Sequence, residues 1–483
     1  MKSGTWAHGA RGALILSLMA GLGSLAWAGA AAPLKTVAPA SPVTPASTKC
    51  RSELSPEALD RTAGRSSDSP QDAEGTASAD PKFALQTVAR QALSRSAAVG
   101  ASKWLADAAT FDVEQVEAGL WPTVSVSASR GPQRSSLNGE KVSGGNVGNL
   151  GVSTGGSLYD GGRTRAQIQL RRDLQRAEQF GLMQAGETVV SEAVSTVLDR
   201  ARYQMQVQVY QQYVRKMACL VDALDAIVAS DRGRASELVQ ARKTLSQAEL
   251  SRDVAASAVR QVDHKIRKLL GDNFAMPGGV TAALSNSPDL AEMVRLANQS
   301  AEVQKMKAES VAAEGYARSL ELGRGPQVGW TASRSESEMG RDRRSVWSAS
   351  VNVNWVVFDA GAEKSAIRAA WARSEASQQQ LTDLMDGRMQ QIRSLHDTSS
   401  DSFTHARQYA SILKDSELLR SFTFQQWSQL GRRSLFDLMS AESDHFTLRI
   451  AYVNALFDGY AANAQLRSLG GGLAGWISPE IAP

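Results

Sequence analysis

The stretch "SLYDGGRTRAQI", residues 157–168, is echoed about two hundred residues later by "VVFDAGAEKSAI", residues 356–367. In both stretches apolar and aromatic residues lead to an aspartate, a small residue and a glycine, after which a charged pattern with helical spacing begins. Self-similarity at a long interval indicates an internal repeat, and each stretch predicts a junction between a strand and a long helix. The expected junction residues are Asp160 with Gly162 and Asp359 with Gly361.

The segments around the first junction alternate between helical and extended patterns. Apolar residues at helical spacing over about residues 82–120 give way to alternating apolar and polar residues. A Gly- and Ser-rich stretch, residues 131–148, and a second alternating segment follow, which together predict a β-hairpin with a long loop. A long helix then runs to about Ser230, and a shorter helix follows the turn "SDRGRAS".

The second half of the chain repeats this order. A polar loop at residues 335–345 separates two strands, the second of which is "VWSASVNVNWVVF" at residues 346–358, and the turn "LGRRS" precedes the last helix. The offset is 359 − 160 = 199 for the aspartate before each long helix and 438 − 238 = 200 for the leucine after each turn. The sequence therefore predicts a tandem duplication of a helix–hairpin–long helix–helix unit. At 1.5 Å per residue each long helix is about 100 Å long, so we expect it to pack against two shorter helices placed end to end.

The first 80 residues differ in composition from the repeats. Lys2 and Arg11 precede an apolar stretch that ends in Ala-Trp-Ala, which indicates a secretory signal peptide rather than a membrane anchor. The next segment is rich in Ala, Pro, Ser and Thr, and we expect it to be a disordered linker. The predicted domains are a signal peptide (1–28), a linker (29–80), a first repeat (81–280), a second repeat (281–475) and a C-terminal tail (476–483).

Charge and cysteine content exclude several classes of protein. Lys and Arg number 53 against 49 Asp and Glu, and the resulting net charge of +4 is scattered, so we expect no nucleic-acid partner. Two cysteines, Cys50 and Cys219, are too few for a disulfide framework, and we expect both to be free thiols. Export without a later apolar segment of about 20 residues indicates a periplasmic, outer-membrane or extracellular protein.

Alternation in the last strand indicates a membrane barrel. A half-buried soluble sheet alternates in the same way, but an exported chain with few other strands has nothing to cover a tryptophan-bearing face. We therefore expect that face to contact lipid. Four strands cannot close a barrel, which needs about eight, so copies must share one; three or four copies leave room for water, whereas two leave little. The expected lipid-facing residues are Trp347, Val351, Val353 and Trp355.

Several of these motifs resemble those of the TolC-type outer membrane efflux proteins. The resemblance covers about residues 80–475 and rests on the signal peptide, the duplication, "GLWP" before a strand, "YDGG" before a long helix and "GRRSLFDLMSAESDHFTLRIAYVN" near the end. It implies a mainly α fold with a small β part: a homotrimer with a shared 12-stranded β-barrel in outer-membrane lipid and a long α-helical barrel through the periplasm. It also implies a conduit engaged by a periplasmic adaptor and an inner-membrane pump, either ABC-type or proton-driven.

Acidic residues after the two helix turns are candidates for an entrance gate. The resemblance implies that Asp437, and Glu237 at the duplicate position, project into a narrowed periplasmic entrance, where copies would form an acidic ring. The family pattern often has a second Asp three residues later, but this chain has Ser440 and Gln240 there. Arg433 matches an arginine that ties neighbouring helices together. The alternative is that both acids only stabilise the first turns of their helices.

The sequence offers no candidate catalytic centre, metal site or cofactor site. The five histidines form no ligand pair at helical spacing, and "GGG" at residues 470–472 lacks the lysine and the strand–loop–helix context of a phosphate loop. We therefore expect a transport protein that is not an enzyme.

Four functions remain open at the level of sequence. An outer membrane channel for type I protein secretion is favoured by residues 431–473, and a multidrug or small-molecule efflux channel is its alternative. An exported coiled-coil adaptor would need a lipoyl-like β-domain between its helices, and a trimeric adhesin would place its barrel at the C-terminus. Neither of the last two predicts a hairpin in the middle of each half.

Overall fold

The fold is described by a computed structural model, which covers residues 81–138, 140–339, 342–428 and 433–479. The expected signal peptide and linker lie outside these ranges, as does the end of the C-terminal tail. No helix in the described part of the chain is both long enough and apolar enough to span a membrane.

The elements follow the predicted order in both halves. The first half contains α1 (Phe83–Arg95), α2 (Ala97–Ala118), β1 (Thr123–Leu137), β2 (Glu140–Tyr159), α3 (Arg163–Ser230) and α4 (Ala235–Leu270). The second half contains α5 (Leu290–Ala297), α6 (Ala301–Leu322), β3 (Gln327–Met339), β4 (Asp342–Asn354), α7 (Ala362–Ser428), α8 (Leu435–Leu469) and α9 (Leu473–Ile477). The prediction of a mainly helical fold with a small β part is confirmed.

The two long helices have 68 and 67 residues, and each packs against two shorter helices of its own repeat; α3 also packs against α6 and α8 of the second repeat. Helix α3 contacts α2 along one part of its length and α4 along another, and α7 contacts α6 and α8 in the same way. Fully buried side chains such as Leu198, Leu220 and Leu438 form the core of these seams. The packing expected from helix length alone is therefore present.

Both strand-to-helix junctions have the same local structure. Asp160 accepts hydrogen bonds from the backbone amides of Gly162 (2.9 Å) and Thr164 (2.7 Å), and Asp359 accepts the corresponding bonds from Gly361 (2.9 Å) and Glu363 (2.6 Å). Gly162 and Gly361 have φ of 89° and 86°, a left-handed conformation that favours glycine. The repeated Asp-x-Gly thus turns the chain from a strand and caps the long helix.

The four strands form one antiparallel sheet in the order β1-β2-β3-β4. The strands are longer at one end than predicted: residues expected in the loops 131–148 and 335–345 continue the ladders up to Leu137–Glu140 and Met339–Asp342. The Gly- and Ser-rich composition suggested loops, but the backbone of these residues pairs with the neighbouring strand.

The other end of β4 was predicted too far along the chain. The strand ends at Asn354, so the expectation that Trp355 is a strand residue is wrong. Its indole nitrogen instead donates a hydrogen bond to the carbonyl of Arg324, just after α6, at 3.2 Å. Alternation continues through residue 357 in the sequence, but β3 begins at Gln327, paired with Asn354, and offers no partner beyond it.

Cys219, a buried residue of α3, is disulfide-bonded, so the prediction of a free thiol there is wrong. Disulfides are usual in proteins exported to an oxidising compartment. The other cysteine, Cys50, lies outside the described residues.

Candidate functional site at the helix turns

The starts of α4 and α8, which follow the two turns, lie at the same end of the helical body. Their proximity follows from contacts just behind the turns, where the rings of Tyr213 on α3 and Phe446 on α8 have centroids 4.7 Å apart. The candidate gate residues follow these turns, so the fold brings the two duplicate acids to one end of the molecule.

Asp437 forms a capping box at the start of α8. The Ser434 hydroxyl accepts a hydrogen bond from the Asp437 amide (3.2 Å), and the Asp437 carboxylate accepts one from the Ser434 amide (3.1 Å). Such reciprocal bonds satisfy two amides that a helix start leaves without partners. Asp437 remains partly exposed, with about 40% of its side chain accessible. The helix-stabilising role is therefore present, and it leaves the carboxylate accessible to solvent.

Glu237 occupies the duplicate position in the first turn of α4. Its carboxylate lies 3.2 Å from the guanidinium of Arg234, and about 31% of its side chain is exposed. The positions expected to carry the second acid of the family pattern, Ser440 and Gln240, bring no charge. Each repeat thus places a single carboxylate just after its turn.

Arg433 connects the two helices of its own turn. It donates a hydrogen bond to the side-chain oxygen of Gln426 on α7 (3.2 Å), and its guanidinium lies 4.0 Å from the Asp437 carboxylate. Within the described chain, its contacts are therefore with the end of α7 and the start of α8.

A buried ionic cluster lies behind the second turn, and sequence reasoning missed it. Arg420 of α7 donates to Glu417 on the same helix and to Glu442 of α8, and Lys216 of α3 lies 3.6 Å from Glu442. Arg420 and Glu442 are almost completely buried. Charges of this kind are buried only when they are paired. Charged residues at the core positions of a helical pattern were therefore the signal from which the cluster could have been found.

His445 of α8 belongs to the same cluster. It lies within 3.2 Å of the Ser416 hydroxyl and within 3.5 Å of the Glu417 carboxylate. Burial, together with the nearby positive charges of Arg420, Arg449 and Lys216, lowers the pKa of His445 from 6.5 to about 3. The imidazole is therefore neutral at physiological pH.

The sheet has one apolar and one hydroxyl-rich face. The register puts Val126, Val152 and Trp347 in one row, with Arg334 between the last two, and Val351 and Val353 lie on the same face. Rows on the other face pair hydroxyls, as in Ser125 with Ser153 (2.7 Å) and Ser333 with Ser348 (2.9 Å). Exposed apolar side chains on a polar-backed sheet are the pattern of a membrane barrel wall.

The described residues include no group of three or more His, Cys, Asp or Glu side chains placed to hold a metal ion.

Part of the chain is similar in sequence to known outer membrane efflux proteins. The sequence model of the family described as "Outer membrane efflux protein" matches residues 88–272. The outer membrane efflux protein BepC of Brucella suis biovar 1 is 31% identical over 115 residues, which are 24% of this chain and 24% of BepC. This match therefore spans about a quarter of the length of the curated relative.

Solved structures resemble the whole helical and strand arrangement. A structure of CusC superposes with a TM-score of 0.72 at 13% identity and covers 80% of this chain and 92% of its own. The outer membrane protein VceC of Vibrio cholerae gives 0.70 at 14%, with 80% and 96% covered. The CmeC outer membrane channel of Campylobacter jejuni gives 0.71 at 14%, with 83% and 88% covered.

At these identities the structural matches establish the fold of the described chain. The sequence match places residues 88–272 within the model of the outer membrane efflux proteins. In sequence the chain is thus similar to this family over its first repeat, and in fold it is similar to solved outer membrane channels.

Proposed function

We propose that the chain is the passive outer-membrane duct of a tripartite export system, assembled as a homotrimer. The observation that carries the proposal is the four-stranded sheet with an apolar face, a hydroxyl-rich face and two open edges, β1 and β4. Unpaired edges and exposed apolar side chains are unstable in water. Three copies pairing β4 of one with β1 of the next give twelve strands, an apolar outer wall and a polar lumen.

The helical body supports the same assembly. Near the turns, the helices lie side by side in the order α4–α3–α8–α7, so α4 and α7 are the edges of this array. Apolar side chains remain exposed on both edge helices, among them Leu250 and Val254 on α4 and Ile412 and Leu419 on α7. Closing the array through further copies would bury these side chains and continue the barrel as a helical tube.

The acids after the turns would give this tube a charged entrance. Three copies of Asp437, with three of Glu237 if they also face inward, would form a ring that attracts cations. An adaptor protein and an inner-membrane pump, ABC-type or proton-driven, are the expected partners, because no described site in the chain supplies energy.

We propose type I protein secretion as the specific role, on the sequence pattern of residues 431–473. Multidrug efflux is the other role open to a duct of this kind. Deleting the protein and comparing secreted proteins with drug sensitivity separates the two: loss of one or more secreted proteins supports secretion, whereas a change confined to drug sensitivity favours efflux.

The duct itself is tested by isolating outer membranes and reconstituting the purified protein in planar bilayers. We expect a heat-modifiable trimer band and discrete conductance steps. A monomer that forms no pores in any preparation would contradict the proposal.

A further inference from the structure

The tandem repeat makes two contacts between helices equivalent to each other. Only one of these contacts, here called a seam, forms within a single chain. In the array α4–α3–α8–α7, the seam between α3 and α8 joins the long helix of the first repeat to the short helix of the second. Its repeat counterpart joins the long helix of the second repeat, α7, to the short helix of the first, α4. Because α4 and α7 lie at opposite edges, that counterpart can form only with a second copy of the chain.

The offset identifies the residues of α7 that would face the partner. On α3, Tyr213 and Lys216 contact residues of α8. Adding 199, the offset of the long helices, gives Ile412 and Asp415 on α7. Ile412 is 46% exposed and Leu419, one heptad further on, is 57% exposed. The counterpart face on α7 is therefore an uncovered apolar stripe with one carboxylate in it.

The same operation identifies the matching face of α4. On α8, Glu442, Phe446 and Asn454 contact α3. Subtracting 200 gives Arg242, Ser246 and Val254 on α4. Val254 is 63% exposed, and nearby Leu250 is 65% exposed. Two faces that the repeat relates to a packed seam thus both expose apolar side chains next to one charged residue.

The charge pair in the seam is inverted between the repeats. Within the chain, Lys216 of α3 lies 3.6 Å from Glu442 of α8. The counterpart pair is Asp415 of α7 with Arg242 of a second copy, which keeps opposite charges but exchanges their sides. Arg242 also pairs with Asp225 of its own chain at 2.7 Å, and a guanidinium has donors for both carboxylates.

This inversion rejects wrong pairings. If α4 of another copy took the place of α8 against α3, Arg242 would face Lys216, and if α7 met an α8, Asp415 would face Glu442. Both contacts would place like charges together, which strongly disfavours them at an interface. A duplicated chain is prone to such mispairing because its two halves have the same shape.

At the sheet end of the long helices, the sizes of the two contacting side chains are likewise exchanged between the repeats. Gly315 of α6 packs against Leu170 of α3, with 3.7 Å from its Cβ position to the leucine Cα and Cβ. The prolines after the two helices set the offset of α2 and α6 at 326 − 122 = 204, so the counterpart of Gly315 is Phe111. The counterpart of Leu170 is Ala369. Phe111 is 64% exposed, and a large side chain on α2 would meet a small one on α7.

We propose that a second copy of the chain docks α4 and α2 on the open face of α7, with Arg242 on Asp415 and Phe111 on Ala369 as the selective contacts. The proposal rests on the homo-oligomeric duct proposed above, and it names the residues by which each copy chooses its neighbour. Near the turns, the charge pair determines which helix of a second copy can pack against α7. Near the sheet, the match between a large and a small side chain determines it.

Charge exchange tests the first contact in the full chain. Asp415→Arg and Arg242→Asp should each reduce the folded oligomer at least about tenfold, since each creates a like-charge contact. The double variant should restore it. Lys243→Asp, the same charge change one position along α4, is the matched control and should leave the oligomer unchanged. A double variant no better than either single one would overturn the proposal.

A cysteine pair gives a readout that does not depend on stability. The contact between Tyr213 and Phe446 maps to Ile412 of one copy and Ser246 of the next, so Ile412→Cys with Ser246→Cys should produce crosslinked dimers and trimers on oxidation. Each single-cysteine variant is the control. An assembled oligomer without these crosslinks would refute the named interface, whereas a wild-type chain that never assembles would refute the oligomeric duct itself.

Discussion

At the scale of single residues, three members of the buried cluster behind the second turn have apolar counterparts in the first repeat. At the offset of 199, Arg420 and Glu417 correspond to Val221 and Ala218, and at 200, His445 corresponds to Leu245. At these positions the first repeat uses apolar side chains where the second uses paired polar ones. Such networks are weak evidence for stability, but breaking one by removing a single partner is strongly destabilising.

The neutral state of His445 makes stability depend on pH. Above about pH 6.5 the imidazole is neutral in both the folded and the unfolded chain, because its pKa is lowered from 6.5 to about 3 by folding. As pH falls from about 6.5 towards 3, the unfolded chain binds a proton that the folded chain does not, so the free energy of unfolding decreases by about 1.4 kcal/mol per pH unit from this group.

His445→Gln should remove that part of the pH dependence. Thermal unfolding of the purified protein between pH 7 and pH 4 measures it, with exposed His264→Gln as the control that should follow the wild type. Identical slopes for wild type and His445→Gln would mean that the histidine is protonated or accessible in the folded protein.

Asp437 caps its own helix and, in the proposed oligomer, contributes to a ring of carboxylates. Substitutions can separate these two roles. Asp437→Asn removes the charge but keeps a side chain that accepts a hydrogen bond, so we expect cation preference and block by multivalent cations to decrease in planar bilayers. Adding Glu237→Gln should decrease both further. Ser434→Ala, which removes the other half of the capping box, should cost about 1 kcal/mol of stability without changing selectivity. Unchanged selectivity in the double variant would leave only the helix-stabilising role.

At the scale of elements, the two faces of a strand should respond differently to the same substitution. Val351 and Ser350 are neighbours in the middle of β4, and the register puts them on the apolar and the hydroxyl-rich face respectively. Val351→Lys places a charge against hydrocarbon and should cost roughly 2 to 4 kcal/mol per chain near mid-bilayer. Ser350→Lys faces the lumen and should assemble normally, with a shift towards anion preference. Heat-modifiable trimer in outer membranes is the measurement, and equal defects would show that the faces are reversed.

The helices and the two hairpins were predictable from sequence, because long periodic segments and repeated junctions determine them. Strand ends were not, because Gly- and Ser-rich residues pair when a neighbouring strand is present, and alternation in the sequence continues through residue 357 although pairing stops at Asn354. The positions of Asp437 and Glu237 in the first turns of their helices were recognisable from the turn motif, whereas their role at an entrance stays a prediction. The buried cluster was not, because Lys216 lies about two hundred residues from its partners along the chain and only tertiary packing brings them together.

At the scale of the whole molecule, the fold predicts which segments face the two sides of the outer membrane. The β1–β2 and β3–β4 hairpin ends should face the cell exterior, and the turns after α3 and α7 should face the periplasm, about 100 Å away along the long helices. Tags inserted at the hairpin ends should be labelled on intact cells, whereas a tag at residues 430–434 should be labelled only after the outer membrane is permeabilised. Labelling of that turn from outside would contradict the orientation.

The two open strand edges also have a genetic consequence. In the proposed homotrimer, β1 and β4 of each chain are completed by other copies, so one defective copy affects the whole ring. When a variant that assembles but does not conduct is produced in equal amount with the wild type, only about one three-membered ring in eight contains no variant chain. Mutant alleles of this kind would therefore be dominant, although the wild-type gene beside them is intact.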